Sequence, residues 1–366
     1  MIVKTVSWYH DFHCLQGECS VSCCFGWGIP LDDEICETYY NMKGVKGFFV
    51  RSHVRGKKLK SFRMSLGKCP FQDRENLCGL QRKLGEEYMP RICREYPRQC
   101  INLGAFTVKT LDTGCPEAAR LFLTAKEPFR YLVSEEEITH KRYGNNEEPE
   151  FLASLERILA RLTDLLEGEE ASPESLNRIF NSFFIYAEEA QKACLKGEEL
   201  PDISLCEENR FPLFPFSIML FNELYSTSLF EERLSFLAPK LYRPLKRYYK
   251  VFDRLTEIRG QELLDRWVTG YFEEDPERIR KYYRIAGYFL QLDFYDIYED
   301  YSFFSHIVQA VLHANMVLML DLTVYNAEGE LPLKRQCEIL AAYTRRAHHN
   351  DDVAKELYRK IMDRYG

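Results

Sequence analysis

The chain lacks a long, uncharged apolar run. Its longest strongly apolar stretch on reading, Phe211–Phe221, contains two prolines and stops at Asn222. A membrane-spanning helix takes about 20 apolar residues, so no span is expected. The opening segment, MIVKTVSWYHDFHC, has no apolar core of the kind a signal peptide carries. The expected location is therefore cytoplasmic. Glycine and proline are also sparse, at 19 and 15 of 366 residues, which excludes collagen-like and low-complexity classes.

Several motifs are missing too. No C-x2-C pair occurs, so a zinc ribbon is excluded. The spacing Cys19-x3-Cys23 opens the C-x3-C-x2-C pattern of radical S-adenosylmethionine enzymes, but position 26 is glycine. No G-x-G-x-x-G follows a strand and no P-loop is present, so a nucleotide-like ligand would not sit on a glycine loop of those kinds.

What is abundant is aromatic residues and cysteine. With 25 Phe, 23 Tyr and 3 Trp the chain can build a large core. Thirteen cysteines occur, ten of them in the first 115 residues. In a reducing compartment such a cluster is read as metal-binding before it is read as disulfides, and an odd total fits poorly with full pairing. The spacing is Cys14-x4-Cys19-x3-Cys23-Cys24, a long gap, then Cys69-x8-Cys78-x14-Cys93-x6-Cys100, then Cys115. Thiolates suit zinc or iron–sulfur clusters, each commonly taking four. Ten exceed one site's need, so Cys36, Cys100 and Cys115 are equally well read as small core residues.

Charge divides the chain. Residues 1–120 carry 18 Lys/Arg against 13 Asp/Glu, whereas 121–366 carry 31 against 43. Residues 1–120 are dense in glycine and proline punctuation and read as an irregular, cysteine-rich region. Within it, 47–66 reads as a β-hairpin turning at Gly56-Lys57, and 32–42 and 80–89 as short helices. Residues 121–366 read as an irregular all-α bundle. Phe151, Leu155, Ile158, Leu162 and Leu165 mark one helical face. Ser172, Pro173 and Gly197 supply a helix start and stop. Further helical patterns cover about 216–237, 241–259, 276–292, 302–320, 333–347 and 351–364. The acidic segment 135–150 reads as an exposed loop. The fold class is mainly α, with a metal-cluster region at one end.

Three fragments then carry a resemblance. FHCLQGECSVSCCFGWGIPLD at 12–32, CPFQDRENLCGLQRKLGEEYMPRICREYPR at 69–98 and the helical remainder together resemble the flagellin lysine-N-methylase family. The second fragment also resembles the wider group of zinc- or iron-chelating cysteine-cluster proteins. The resemblance implies Cys14, Cys19, Cys23, Cys24, Cys69, Cys78 and Cys93 as metal ligands. It implies an iron–sulfur cluster, 4Fe–4S favoured and zinc the alternative, with S-adenosylmethionine as methyl donor and lysines of flagellin as substrate. Cys100 and Cys115 lie outside the matched positions.

Other features weigh less. Residues 43–68 hold nine Lys/Arg and no Asp or Glu. They read as a basic face for an acidic partner or as a solvated hairpin with snorkelling lysines. The acidic pI argues against nucleic acid as partner. His306 and His313 share one expected helix and read as ordinary core or surface histidines. His348 and His349 sit at a helix end and receive no catalytic role. Trp27 and Tyr96 flank expected ligands and would shield a cluster from water. The many tyrosines single out no catalytic base. The rival function is a non-catalytic metal-chelating scaffold, or a redox protein whose cluster is the working part.

Overall fold

The computed structural model describes residues 1–206, apart from Val21, Lys58, Thr139 and Glu169, and residues 254–349, with a few isolated positions elsewhere. The helices expected at 216–237, 241–259 and 351–364 lie largely outside these residues.

The architecture is mainly helical, with a small sheet not read from the sequence. Strand β1 (Ile2–Val6) buries Val3 and Val6 completely or nearly so. It lies inside a four-stranded sheet with β4 (Arg98–Asn102), β5 (Phe106–Leu111) and β6 (Tyr131–Glu135), in the order β4-β5-β1-β6. β1 runs parallel to β5, Ile2 opposite Phe106, and antiparallel to β6, Ile2 opposite Glu135. β4 and β5 form an antiparallel hairpin. Its turn contains Gly104 at φ 87°, whose N–H is accepted by the Asn102 side chain at 2.9 Å. Helix α5 (Pro116–Thr124) connects β5 to β6, so one strand interrupts the otherwise helical stretch beyond residue 120.

Residues 13–97 are built of short pieces around their own small core: Ile29, Leu31, Ile35, Tyr39, Val50, Phe62, Phe71, Leu80 and Met89, with Cys69. Helix α1 (Asp33–Asn41) is capped by Asp32, which accepts from Ile35 N–H at 2.9 Å. The other Asp32 oxygen accepts from Arg91 N–H at 2.8 Å. One carboxylate thereby ties α1 to α4 (Arg91–Glu95). The expected hairpin is shorter than 47–66. Residues Gly44–Ser52 are helix α2, and only Val54–Arg55 (β2) and Ser61–Phe62 (β3) pair across the turn. The cause is close packing onto α1. Gly47 lies so near the Met42 carbonyl that a Cβ would overlap it. Arg51 donates to the Tyr39 and Met42 carbonyls at 2.8 and 2.6 Å, satisfying the end of α1. Helix α3 (Gly79–Leu84) and the turn Glu86–Tyr88 match the helix expected at 80–89.

The described helical part follows its sequence signals except at Glu257–Glu274, a helix that none of the patterns above covers beyond residue 259. α6 (Pro149–Gly168) buries Leu155, Ile158 and Leu162. α7 (Pro173–Lys196) starts where Ser172 Oγ accepts from Ser175 N–H at 3.0 Å. It ends at Gly197, in the left-handed region at φ 68°. Next come α8 (Glu257–Glu274), α9 (Arg278–Asp293), α10 (Ile297–Asp300), α11 (Phe303–Glu328) and α12 (Leu333–Tyr343). A π-helical turn, Thr344–His348, follows α12. α11 corrects one expectation: it is long and apolar enough to cross a membrane by length and composition. It is instead the central helix, buried by α9 and α7. The large core takes in β1, Trp8, Phe12, β5 and α5 together with these helices. The loop 136–148 is not loose. Tyr143 Oη donates to Asp296 at 2.6 Å, and Asn145 N–H to Glu299 at 2.8 Å.

Candidate metal centre beside a buried arginine

A cavity of about 430 Å³ opens between the small core and the helical part. Its wall includes all seven cysteines singled out above: Cys14, Cys19, Cys23, Cys24, Cys69, Cys78 and Cys93. Cys115 lines it as well, which neither spacing nor resemblance required. Cys36 and Cys100 are not in the wall: Cys36 packs on the small core and Cys100 lies on β4. None of these thiols is in a disulfide.

Short local devices aim the thiols. Cys78 is the N-cap residue of α3, and Cys115 that of α5. Cys93 sits in the first turn of α4, its N–H donating to the Pro90 carbonyl at 2.9 Å. Cys69 N–H donates to the Cys24 carbonyl at 2.8 Å, which joins the two cysteine groups across the long gap. Trp27 and Tyr96 also line the cavity, their rings 5.3 Å apart, and the Trp27 indole N–H donates to the Cys23 carbonyl.

The thiols feel one another. Cys24 donates to Cys23, and this bond, aided by the nearby Arg345 charge, lowers Cys23 to about 6 although burial opposes it. The same bond and burial push Cys24 up. Burial raises Cys69 to about 11 and Cys115 to about 12, and raises Cys93 strongly. Cys23, Cys69 and Cys78 each add to the rise at Cys93, and Cys19 to that at Cys115. Cys69, Cys93 and Cys115 hold their protons because burial penalises their thiolates and neighbouring thiolates repel them. A soft cation reverses that balance by binding the thiolates. By donor chemistry the set suits a thiolate-bound zinc or iron–sulfur centre, but among the described residues no three of its sulfurs lie within 4.8 Å of one another, as one zinc ion would draw them.

The residue that sequence reasoning missed is Arg345. It lies in the π turn after α12, is buried at 8% exposure and lines the same cavity. Its guanidinium donates to the Gly114 carbonyl at 2.5 Å and the Ser22 carbonyl at 2.8 Å, and stands 5.9 Å from the Tyr96 ring centre. The partners are so distant in sequence that no local pattern announces them.

The expected histidine roles are resolved as follows. His306 pairs with Asp300 at 2.8 Å, whereas His313 is buried and bonded to Tyr343 Oη at 2.8 Å, so the two do not share a site. His348 and His349 pair with Asp293 and Asp112 at 2.8 and 2.7 Å. On the basic stretch, Lys57 and Lys60 are exposed, while Lys58 lies outside the described residues.

No family model and no solved structure matches the chain. Curated proteins do. A lysine-N-methylase of Salmonella typhimurium is 26% identical over 192 residues, half of this chain and 46% of that protein. A lysine-N-methylase of Salmonella choleraesuis matches to the same extent. A flagellar biosynthetic protein FliU of Salmonella muenchen is 29% identical over 123 residues, 31% of this chain and 71% of that protein. The chain spans about half the length of the lysine-N-methylases it matches, and over that half it is similar to them.

Proposed function

We propose that the protein is a protein-lysine N-methyltransferase acting on flagellin, with S-adenosylmethionine as donor and a cysteine-ligated iron–sulfur centre in the cavity. The observation that carries the reading is the gathering of Cys14, Cys19, Cys23, Cys24, Cys69, Cys78 and Cys93 around one cavity, in a chain similar to lysine-N-methylases. Those seven residues are the candidate ligands, with Cys115 an eighth. A centre bound there supplies Lewis-acidic iron and one-electron redox capacity.

The chain's own residues provide the rest of the chemistry. Trp27 and Tyr96 keep water from the thiols. Arg345 supplies a fixed positive charge for an anionic group such as the donor's carboxylate. Methyl transfer needs the substrate lysine as a neutral amine. Its nitrogen takes the methyl as the carbon–sulfur bond of the donor breaks, S-adenosylhomocysteine leaves, and the amine sheds a proton. A partly apolar cavity carrying a buried guanidinium favours the neutral amine. The exposed basic face at 43–68 suits acidic stretches of a protein substrate.

The test is direct. Anaerobically reconstituted full-length protein is incubated with flagellin and S-adenosylmethionine, and the intact mass of flagellin is measured. Methylene-sized mass additions located on lysine are expected, and they require the donor. Unmodified flagellin, together with no calorimetric binding of S-adenosylmethionine by cluster-loaded protein, would replace this reading with the metal-chelating scaffold.

A further inference from the structure

A second cluster of ligating side chains lies behind the cysteine cavity. Asp293 ends α9, His313 is midway along α11, and His348 closes the π turn. One potential ligand atom from each lies within 4.8 Å of the others, the single such group among the described residues. Three separate elements converge on this point. The site is largely dry: His313 is 2% exposed, and the His348 and Asp293 side chains 9% and 18%. Phe289 packs against both imidazoles, at 4.9 and 5.1 Å between ring centres.

The geometry points to a binding site for a borderline divalent transition ion, held by an Asp293 oxygen and one ring nitrogen each from His313 and His348. His348 Nε2 is 2.8 and 3.0 Å from the two Asp293 oxygens. Two ligands each about 2.1 Å from one ion and at right angles to each other stand about 3 Å apart. The spacing thus needs little rearrangement when an ion replaces the shared proton. At His313, Nδ1 is committed to Tyr343 Oη at 2.8 Å. With Nδ1–H donating there, Nε2 presents its lone pair, and the tyrosine becomes the outer partner that fixes the ring. Two imidazoles with one carboxylate suit zinc or iron(II) better than calcium or magnesium.

The site would act on its neighbour through the π turn. That five-residue turn carries Arg345 into the cysteine cavity and His348 into the second cluster. An ion at Asp293, His313 and His348 would clip the turn to α9 and α11 and so hold Arg345 in place. Inserted turns of this kind are frequent at functional sites.

The experiment uses full-length protein equilibrated with Zn2+ and read by elemental analysis and zinc X-ray absorption. The variants are His313→Gln, Asp293→Asn and the double Cys78→Ala/Cys93→Ala. One zinc per chain in a nitrogen/oxygen shell is expected in the double cysteine variant, distinct from any zinc that the six remaining cavity thiols hold in a sulfur shell. That zinc should be lost in His313→Gln and Asp293→Asn, with helical circular dichroism retained. No nitrogen/oxygen-bound zinc in the double cysteine variant, or the same zinc undiminished in both other variants, would overturn the proposal. If those two variants fail to fold, the melting midpoint of the double cysteine variant decides. A rise with added Zn2+ that survives replacement of the remaining cavity cysteines by Ala supports the site, and a rise that vanishes with them, or an unchanged midpoint, refutes it.

Discussion

Arg345 and Ser22 meet across 323 residues of chain, the guanidinium donating to the Ser22 carbonyl at 2.8 Å. Ser22 stands next to Cys23. The helical part therefore holds the first cysteine loop by a charged hydrogen bond, and it places a positive charge beside Cys23, the thiol lowered to about 6.

Replacing Arg345 should be felt in two ways. Arg345→Met leaves the Gly114 and Ser22 carbonyls without their donor, at a cost of about 3 kcal/mol. It also removes a charge that favours the Cys23 thiolate. In metal-free protein, Cys23 alkylation followed by mass spectrometry should titrate with a midpoint near about 6, and in Arg345→Met the midpoint should move upward. An unchanged midpoint would mean that Cys24 alone sets it.

Cysteine replacements should rank by position. Cys78→Ala or Cys93→Ala should reduce bound iron or zinc and open residues 13–97 to protease, because short elements around a small core depend on ligand bonds for stability. Cys36→Ala and Cys100→Ala should leave metal content unchanged, since neither thiol lines the cavity. Cys115→Ala separates ligand from bystander: a fall in metal content would make it the eighth ligand.

Asp321 should make stability fall with rising pH. It is fully buried, accepts from Tyr282 Oη at 2.9 Å and Gln336 Nε2 at 2.6 Å, and is raised to about 7 by burial. The folded state thus keeps its proton between the ordinary carboxylate range and about 7, where the unfolded chain has lost it. Stability is greatest below that window, declines through it and levels off above it. Asp321→Asn should remove this part of the decline, as read by urea unfolding at a series of pH values.

Gly287 should not tolerate alanine. It lies in α9 against the tip of the Phe129 ring, and a Cβ would overlap it. The strain of overpacking should cost about 1–3 kcal/mol, measured as a lower urea midpoint with unchanged slope.

Local signals made much of this fold readable. The α7 boundaries follow from Ser172, Pro173 and Gly197, each acting on its own few neighbours. The thiols were readable because soft donors crowded into one segment have few other uses, although only the folded chain distinguishes Cys115, in the wall, from Cys100, outside it. Strand β6 was not readable: four of its five residues are exposed, so it lacks the alternation that marks a half-buried strand. α11 is apolar on every face, and only its packing partners distinguish a core helix from a membrane span. Arg345 and the Asp293–His313–His348 group depend on contacts between distant segments, which no window of sequence contains.

The place of β1 in the sheet has a consequence for synthesis. Made before both its neighbours, it sits between two strands, one beginning at Phe106 and the other ending at Glu135. Until those emerge from the ribosome it has no pairing partner, and pairings this distant form slowly. All eight cavity thiols are also made before residue 120, whereas Arg345 is made after α12. A growing chain therefore presents its cavity thiols to whatever delivers metal throughout synthesis of the stretch between Cys115 and Arg345. The cavity closes only when the π turn arrives.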